Sequence, residues 1–158
     1  MADNNKTPLV VFSGDLGKVF AAFTIAIGAA AAGMETTMFF TFWGLKAIQK
    51  GTLTGTGLMG KMLSVMNRGG IEHLSPCRFN FGGIGRWMFK KMMAHKRVPC
   101  LTELRQTAID LGVRFLACKT SMDVMEIKRE DLIDEVEAIA GVATMIKDAA
   151  ESKIQMFV

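Results

Sequence analysis

The side chains best suited to nucleophilic or metal chemistry are three cysteines, Cys77, Cys100 and Cys118, and two histidines, His73 and His95. A thiol reacts as its thiolate, so the neighbours that favour the anion decide which cysteine matters. Cys118 is followed by Lys119, Thr120 and Ser121. A cation, two hydroxyls and the backbone N–H groups of a helical turn opening there all favour a thiolate. The same residue also reads as a small buried hydrophobe at the end of an apolar run. Cys100 begins Cys100-Leu101-Thr102-Glu103, which has the spacing of a capping box with cysteine where serine or threonine normally stands. A neutral thiol caps poorly, but a thiolate would accept the free N–H groups, and Lys96 and Arg97 lie just upstream. The alternative is that Thr102 caps the helix and Cys100 is incidental. Cys77, beside Arg78 in a glycine-rich stretch, ranks third.

His73-x₃-Cys77 and His95-x₄-Cys100 offer donors of the kind zinc takes, but neither spacing matches a paired zinc signature, so no metal is expected. The turn Ser13-Gly14-Asp15-Leu16-Gly17-Lys18 lacks the spacing of a phosphate-binding glycine loop, and the Asp15 carboxylate would repel a phosphate. No nucleotide cofactor is expected either. Neither histidine stands in a context that suggests Ser-His-Asp catalysis.

The elements that must position these thiols follow from apolar patterning. The continuous run Leu9-Val10-Val11-Phe12 predicts a strand buried on both faces. Asp15 then caps a helix that runs to about residue 32, and Gly33 ends it. Residues 36–42 are β-branched and aromatic, and predict a second strand. From 44 to 99 the chain leaves this rhythm for a glycine- and methionine-rich excursion with two short helices, 58–67 and 86–96. A helix over 101–111, a strand over 113–118, a short helix or turn over 120–126, a helix over 129–134 and a strand over 136–139 resume it. A helix over 141–152 and a strand over 154–158 follow. This alternation implies a single α/β domain over residues 1–158: a mainly parallel sheet of about five strands with helices on both faces, a three-layer sandwich. Cys118 ends its strand, at the carboxyl edge where parallel sheets keep their reactive groups. The helix headed by Cys100 runs antiparallel to that strand, so the two thiols are expected to approach one another.

Of 158 residues, half are apolar and 22% are charged, which excludes disorder. An odd number of cysteines argues against a disulfide scaffold and for reduced thiols in the cytoplasm. The polar start of the chain does not read as a signal peptide, and the longest apolar run, 19–32, is shorter than the ~20 residues of a spanning helix. The net charge of +4 is modest. Much of it lies in the stretch 84–97, where Ile84, Trp87, Met88 and Met92 form an apolar stripe beside Arg86, Lys90 and Arg97. Such a segment suits a partner's groove, an anion near a thiol, or contact with an anionic membrane surface. Charge so localised, without a binding motif, does not predict nucleic acid as a partner.

Five segments together resemble the DsrE/DsrF/DsrH-like family, in particular its stand-alone, peroxiredoxin-like branch. They are Val11-Phe12-Ser13-Gly14-Asp15-Leu16, Phe39-Phe40-Thr41-Phe42-Trp43-Gly44-Leu45, Gly112-Val113-Arg114-Phe115-Leu116-Ala117-Cys118, Ser121-Met122-Asp123-Val124-Met125 and Gly141-Val142-Ala143-Thr144. The resemblance implies a three-layer α/β fold, assembly into oligomers, and sulfurtransferase-type chemistry in which a cysteine persulfide is relayed between donor and acceptor. The recurrent cysteine of the stand-alone branch falls on Cys118, and the reactive cysteine of relay members falls near Cys100. This chain departs from the branch at Lys119 and Thr120, where glutamine and methionine are common, at Cys100, where serine is common, and at Gly28, where asparagine is common. The expected protein is therefore a cytoplasmic, homo-oligomeric sulfur carrier without a cofactor. Cys118 or Cys100 would hold the sulfur, and Lys119, Lys96 or Arg97 would stabilise the anion. The donors and acceptors would be proteins, small persulfides or thiosulfate. The alternative is a non-enzymatic docking or membrane-surface module built on the basic middle segment.

Overall fold

The computed structural model describes residues 5–55, 57–66, 68–74 and 84–158. Its first apolar run forms β1 (Lys6–Val11), which α1 (Leu16–Ala31) connects to β2 (Glu35–Phe40). With β3 (Arg114–Cys118), β4 (Val136–Ala140) and the two-residue β5 (Met156–Phe157) it builds a five-stranded sheet of order β4-β3-β2-β1-β5, parallel at every pairing. The first strand begins earlier than its apolar run suggests, because Lys6, Thr7 and Pro8 pair in register with Glu35, Thr36 and Thr37.

Side chains alternate between the faces of a strand. Leu9, Val11, Met38, Phe40, Phe115 and Ala117 face α1 and α4 (Leu101–Asp110), and with Val19, Phe23 and Leu104 they form the main core. Phe23, Phe40 and Phe115 meet with ring centroids 5.5 to 6.2 Å apart, so one aromatic cluster ties α1 to two strands. Such pairs are worth about 0.5–1.5 kcal/mol each beyond their buried area. Val10, Phe39, Leu116 and Cys118 point to the opposite face, where Met145 of α6 (Val142–Ala150) packs against them. Helices thus cover both faces, giving the expected three layers.

The middle excursion contains the two expected helices, here α2 (Leu58–Met66) and α3 (Ile84–His95), and two 3₁₀ segments, Phe42–Ile48 and Ile71–His73. The strand expected to reach residue 42 stops at Phe40, since Phe42 turns the chain with φ 45°. The helix expected over 129–134 is only a 3₁₀ turn, Arg129–Asp131. The reason is tertiary: the Ile133 N–H donates to the Ile48 carbonyl at 2.9 Å, and Leu132 bridges Gln49, which draws these residues out straight. Between β3 and β4 lies the short α5 (Lys119–Val124).

Four helix ends share one geometry, in which the N–H groups of two successive residues close back onto carbonyls of the last turn. Glycine holds the left-handed position at Gly33 (φ 80°) and Gly112 (φ 76°). At the ends of α3 and α5 the position falls instead to Arg97 (φ 55°) and Glu126 (φ 52°). The left-handed conformation costs a residue with a Cβ about 1–2 kcal/mol, while glycine loses about 0.5–1 kcal/mol more backbone entropy on folding. The balance favours glycine slightly. Arg97→Gly should raise stability by about 0.5 kcal/mol in urea unfolding, whereas Arg97→Ala should not; a less stable glycine variant would contradict the strain at this position.

Candidate functional site

Cys118 closes β3 and caps α5, which places it at the carboxyl edge of the sheet. It is 3% exposed. The neighbouring strand β2 ends one residue before Thr41, and the Thr41 hydroxyl lies 2.7 Å from the Ser121 hydroxyl of α5. Burial pushes the Cys118 thiol up. Hydrogen bonds from the Ser121 hydroxyl and N–H, the Thr41 hydroxyl and the Thr120 N–H oppose this, and the net result lies below the ordinary thiol value. Each hydroxyl has one proton, so the pair works as a chain. One hydroxyl donates to the other, and the second donates to sulfur. Either order ends on the thiolate, and the chain strengthens its last bond.

A pH profile tests this directly. The alkylation rate of Cys118 should rise with a midpoint below the ordinary thiol value. Single variants Thr41→Val and Ser121→Ala should move it up modestly, because the remaining hydroxyl still reaches the sulfur, and the double variant should move it further. An unchanged midpoint in the double variant would remove the hydroxyl pair from the account.

The three cations lie on separate parts of the chain, Lys119 in α5 and Lys96 and Arg97 beyond the end of α3. The Lys119 ammonium pairs with the Asp123 carboxylate one turn along α5. Lys96 is exposed beyond α3, its N–H closing the helix onto the carbonyls of Met92 and Met93. Arg97 lines a cavity of about 690 Å³ together with Cys100.

Cys100 is exposed and occupies the N-cap of α4. Thr102, the alternative cap, lies inside the helix. The Cys100 N–H donates to the Glu103 carboxylate at 2.7 Å, so the return arm of the capping box is formed. The expected approach of the two thiols is not met. Cys100 heads a helix on the α1 side of the sheet, whereas Cys118 points to the α6 side. Both stand at the carboxyl edge, but the sheet lies between their directions.

Cys77 lies outside the described residues. Among the described residues, no three His, Cys, Asp or Glu side chains gather as a metal site, and no helix is long and apolar enough to cross a membrane. The stripe on α3 is exposed: Ile84, Trp87, Met88 and Met92 all face solvent, as do Leu58, Met59, Met62 and Met66 of α2.

Thr41 is the site residue that the sequence reading missed. It lies 77 positions before Cys118, inside the expected strand 36–42, where nothing set it apart from its neighbours. The cavity around Cys100 was likewise invisible, because Leu16 and the pair Ile71-Glu72 reach it from two distant segments.

Comparison with known proteins places this arrangement in context. The family model described as the DsrE/DsrF/DrsH-like family matches residues 3–157. The chain is 37% identical over 155 residues to the uncharacterized protein YrkE of Bacillus subtilis (strain 168), covering 97% of this chain and 96% of that one. It is 28% identical over 159 residues to the sulfur carrier protein DsrE2 of Allochromatium vinosum, covering 99% of each. In structure it is similar to the ychN protein of E. coli, with a TM-score of 0.60, 14% identity, and coverage of 97% of this chain and 98% of that one. At that identity the likeness shows a shared fold.

Proposed function

Because the chain belongs to the DsrE/DsrF/DrsH-like family, we propose that it is a cytoplasmic sulfur carrier that holds sulfane sulfur as a persulfide on Cys118 and passes it to a partner protein. The observation that carries this reading is the convergence of Thr41, Thr120 and Ser121 on the Cys118 sulfur. A thiolate attacks a sulfane sulfur and keeps it as Cys–S–S⁻, and the same donors serve the persulfide anion. Burial against Val10, Phe39 and Leu116 shields that anion from adventitious thiols. Transfer then requires a partner to open the short α5 turn. The exposed apolar faces of α2 and α3, ringed by Lys61, Lys90 and Lys91, suit docking of donor or acceptor proteins and a second copy of the chain. The relative named a sulfur carrier protein matches along the whole length, which supports carriage over docking alone.

The test is mass spectrometry of the intact protein after exposure to polysulfide or thiosulfate. Reductant reversal and peptide mapping follow, with wild type beside Cys118→Ser and Cys100→Ser. A reversible gain of sulfur on the Cys118 peptide supports the reading. No gain there with the thiol shown to be free overturns it.

A further inference from the structure

The short helix that Cys118 caps is bonded at its far end to a remote part of the chain. α5 closes on Glu126, eight residues after Cys118, which holds a left-handed backbone with φ 52°. Glycine takes that conformation at lower cost, so the glutamate side chain must offset the strain. Its carboxylate does so by accepting the Gly57 N–H at 3.0 Å, at the head of α2. No acidic residue stands in the first turn of α2, so Glu126 supplies from another element the negative charge that a helix start favours. The fit is close. A Cβ on Gly57 would lie 3.4 Å from Glu126 Oε1, and a Cβ on Gly60 would lie 2.2 Å from Oε2 and 2.8 Å from Cδ.

α2 is otherwise lightly held. Among its described side chains only Ser64 is buried, and its hydroxyl accepts the Thr54 N–H at 2.7 Å, a bond to the chain just before the helix. Gly60 and Ser64 lie across a cavity of about 20 Å³ from Trp43, Met125 and Ile127, so α2 rests on the end of α5. Met59, Met62 and Met66 recur at helical spacing and face solvent. We propose that Glu126 is a latch between this exposed helix and the sulfur site: while it holds α2, α5 stays closed over Cys118, and drawing α2 away lets α5 open. The proposal rests on the carrier reading for its purpose, and adds how a partner reaches a thiol that is 3% exposed. A partner that takes up the methionine face moves α2, and the carboxylate passes that movement to α5. The contact exists only in the closed state, so its loss raises the population of the open one.

The experiment is alkylation of the full-length protein by iodoacetamide at fixed pH, with peptide mapping and parallel urea unfolding. The exposed Cys100 is the internal reference. Glu126→Gly removes the carboxylate and relieves the left-handed backbone, so stability should change little. Gly60→Ala displaces the carboxylate from the other side while favouring helix in α2. Both should alkylate Cys118 about tenfold faster than wild type, the scale of a lost hydrogen bond to a charged group, with the Cys100 rate unchanged. Glu126→Gln keeps an oxygen for the Gly57 N–H and should restore part of the protection. Ser64→Ala loosens α2 but spares the latch, so its Cys118 rate should stay within about twofold of wild type. Wild-type Cys118 rates in both latch variants would overturn the proposal. So would a rise that Ser64→Ala matches, or one that tracks a loss of global stability, because general loosening would then expose the thiol. No sulfur donor is used, so a protein that takes up no sulfur can still show the latch, and a carrier can lack it.

Discussion

Cys118→Ser is expected to abolish reversible sulfur gain at its own peptide and transfer from it to any acceptor protein, while leaving the fold intact. The two halves of that expectation have separate physical grounds. A hydroxyl cannot form a persulfide, so no sulfane sulfur is held there whatever the donor. Serine is also smaller than cysteine and keeps a hydrogen-bonding atom where Thr41, Thr120 and Ser121 converge. Its packing neighbours Val10, Phe39 and Leu116 lose little contact. The stability change should therefore stay within about 1 kcal/mol by urea unfolding. Cys118→Ala provides the contrast, since it leaves the hydroxyl pair to satisfy itself and tests whether any residual activity depends on a polar atom at this position. Wild-type sulfur gain that survives in both variants would move the carriage elsewhere, with the Cys100 peptide the first place to look.

The centre of the sheet was legible because β1, β2 and β3 are buried on both faces and so are written as nearly unbroken apolar runs, as at Leu9 to Val11 and Phe115 to Cys118. What escaped was set by partners remote in sequence. Lys6 to Pro8 are strand because β2 pairs with them, and Leu132 and Ile133 are extended because Ile48 and Gln49 hold them. The site shows the same division. Cys118 and Cys100 could be placed at the carboxyl edge from the direction of their elements alone. Their separation turns on one step of side-chain parity: Ala117 faces α1 and α4, so Cys118 faces away. That parity was available from the alternation of the strand once α4 was assigned to a face, and the assignment of α4 was not. The ion pair of Lys119 was legible from a nearer signal, since Asp123 four residues on is a ready helical partner for it.

Gly44→Ala should damage both the fold and the thiol, and this links the turn after β2 to the chemistry. The Gly44 N–H donates to the carbonyls of Phe12 at 3.0 Å and Thr41 at 2.9 Å, which draws the turn onto the end of β1. A Cβ at Gly44 would lie 2.0 Å from the Val11 carbonyl oxygen and 2.7 Å from its carbon. Those are main-chain atoms of a central strand, and no rotamer change can yield the space. The same Val11 oxygen accepts the Thr41 N–H at 3.0 Å, so pushing the turn away also drags Thr41 from its place beside Cys118. Overpacking against backbone should cost about 3 kcal/mol, the upper part of the usual range. For a domain of this size that is a fall in melting temperature of roughly 10 °C. Gly28→Ala supplies a matched control of opposite sign. Gly28 lies inside α1 with nothing within 4 Å of its would-be Cβ, so alanine there should stabilise by about 0.5–1 kcal/mol through helix propensity. If the close approach at Gly44 positions the thiol's donors, Gly44→Ala measured well below its melting temperature should also shift the Cys118 alkylation midpoint to higher pH. Gly28→Ala should leave that midpoint where it was. A destabilised Gly44→Ala protein with an unshifted midpoint would mean that Thr41 is held by its strand neighbours and that the turn serves only the fold.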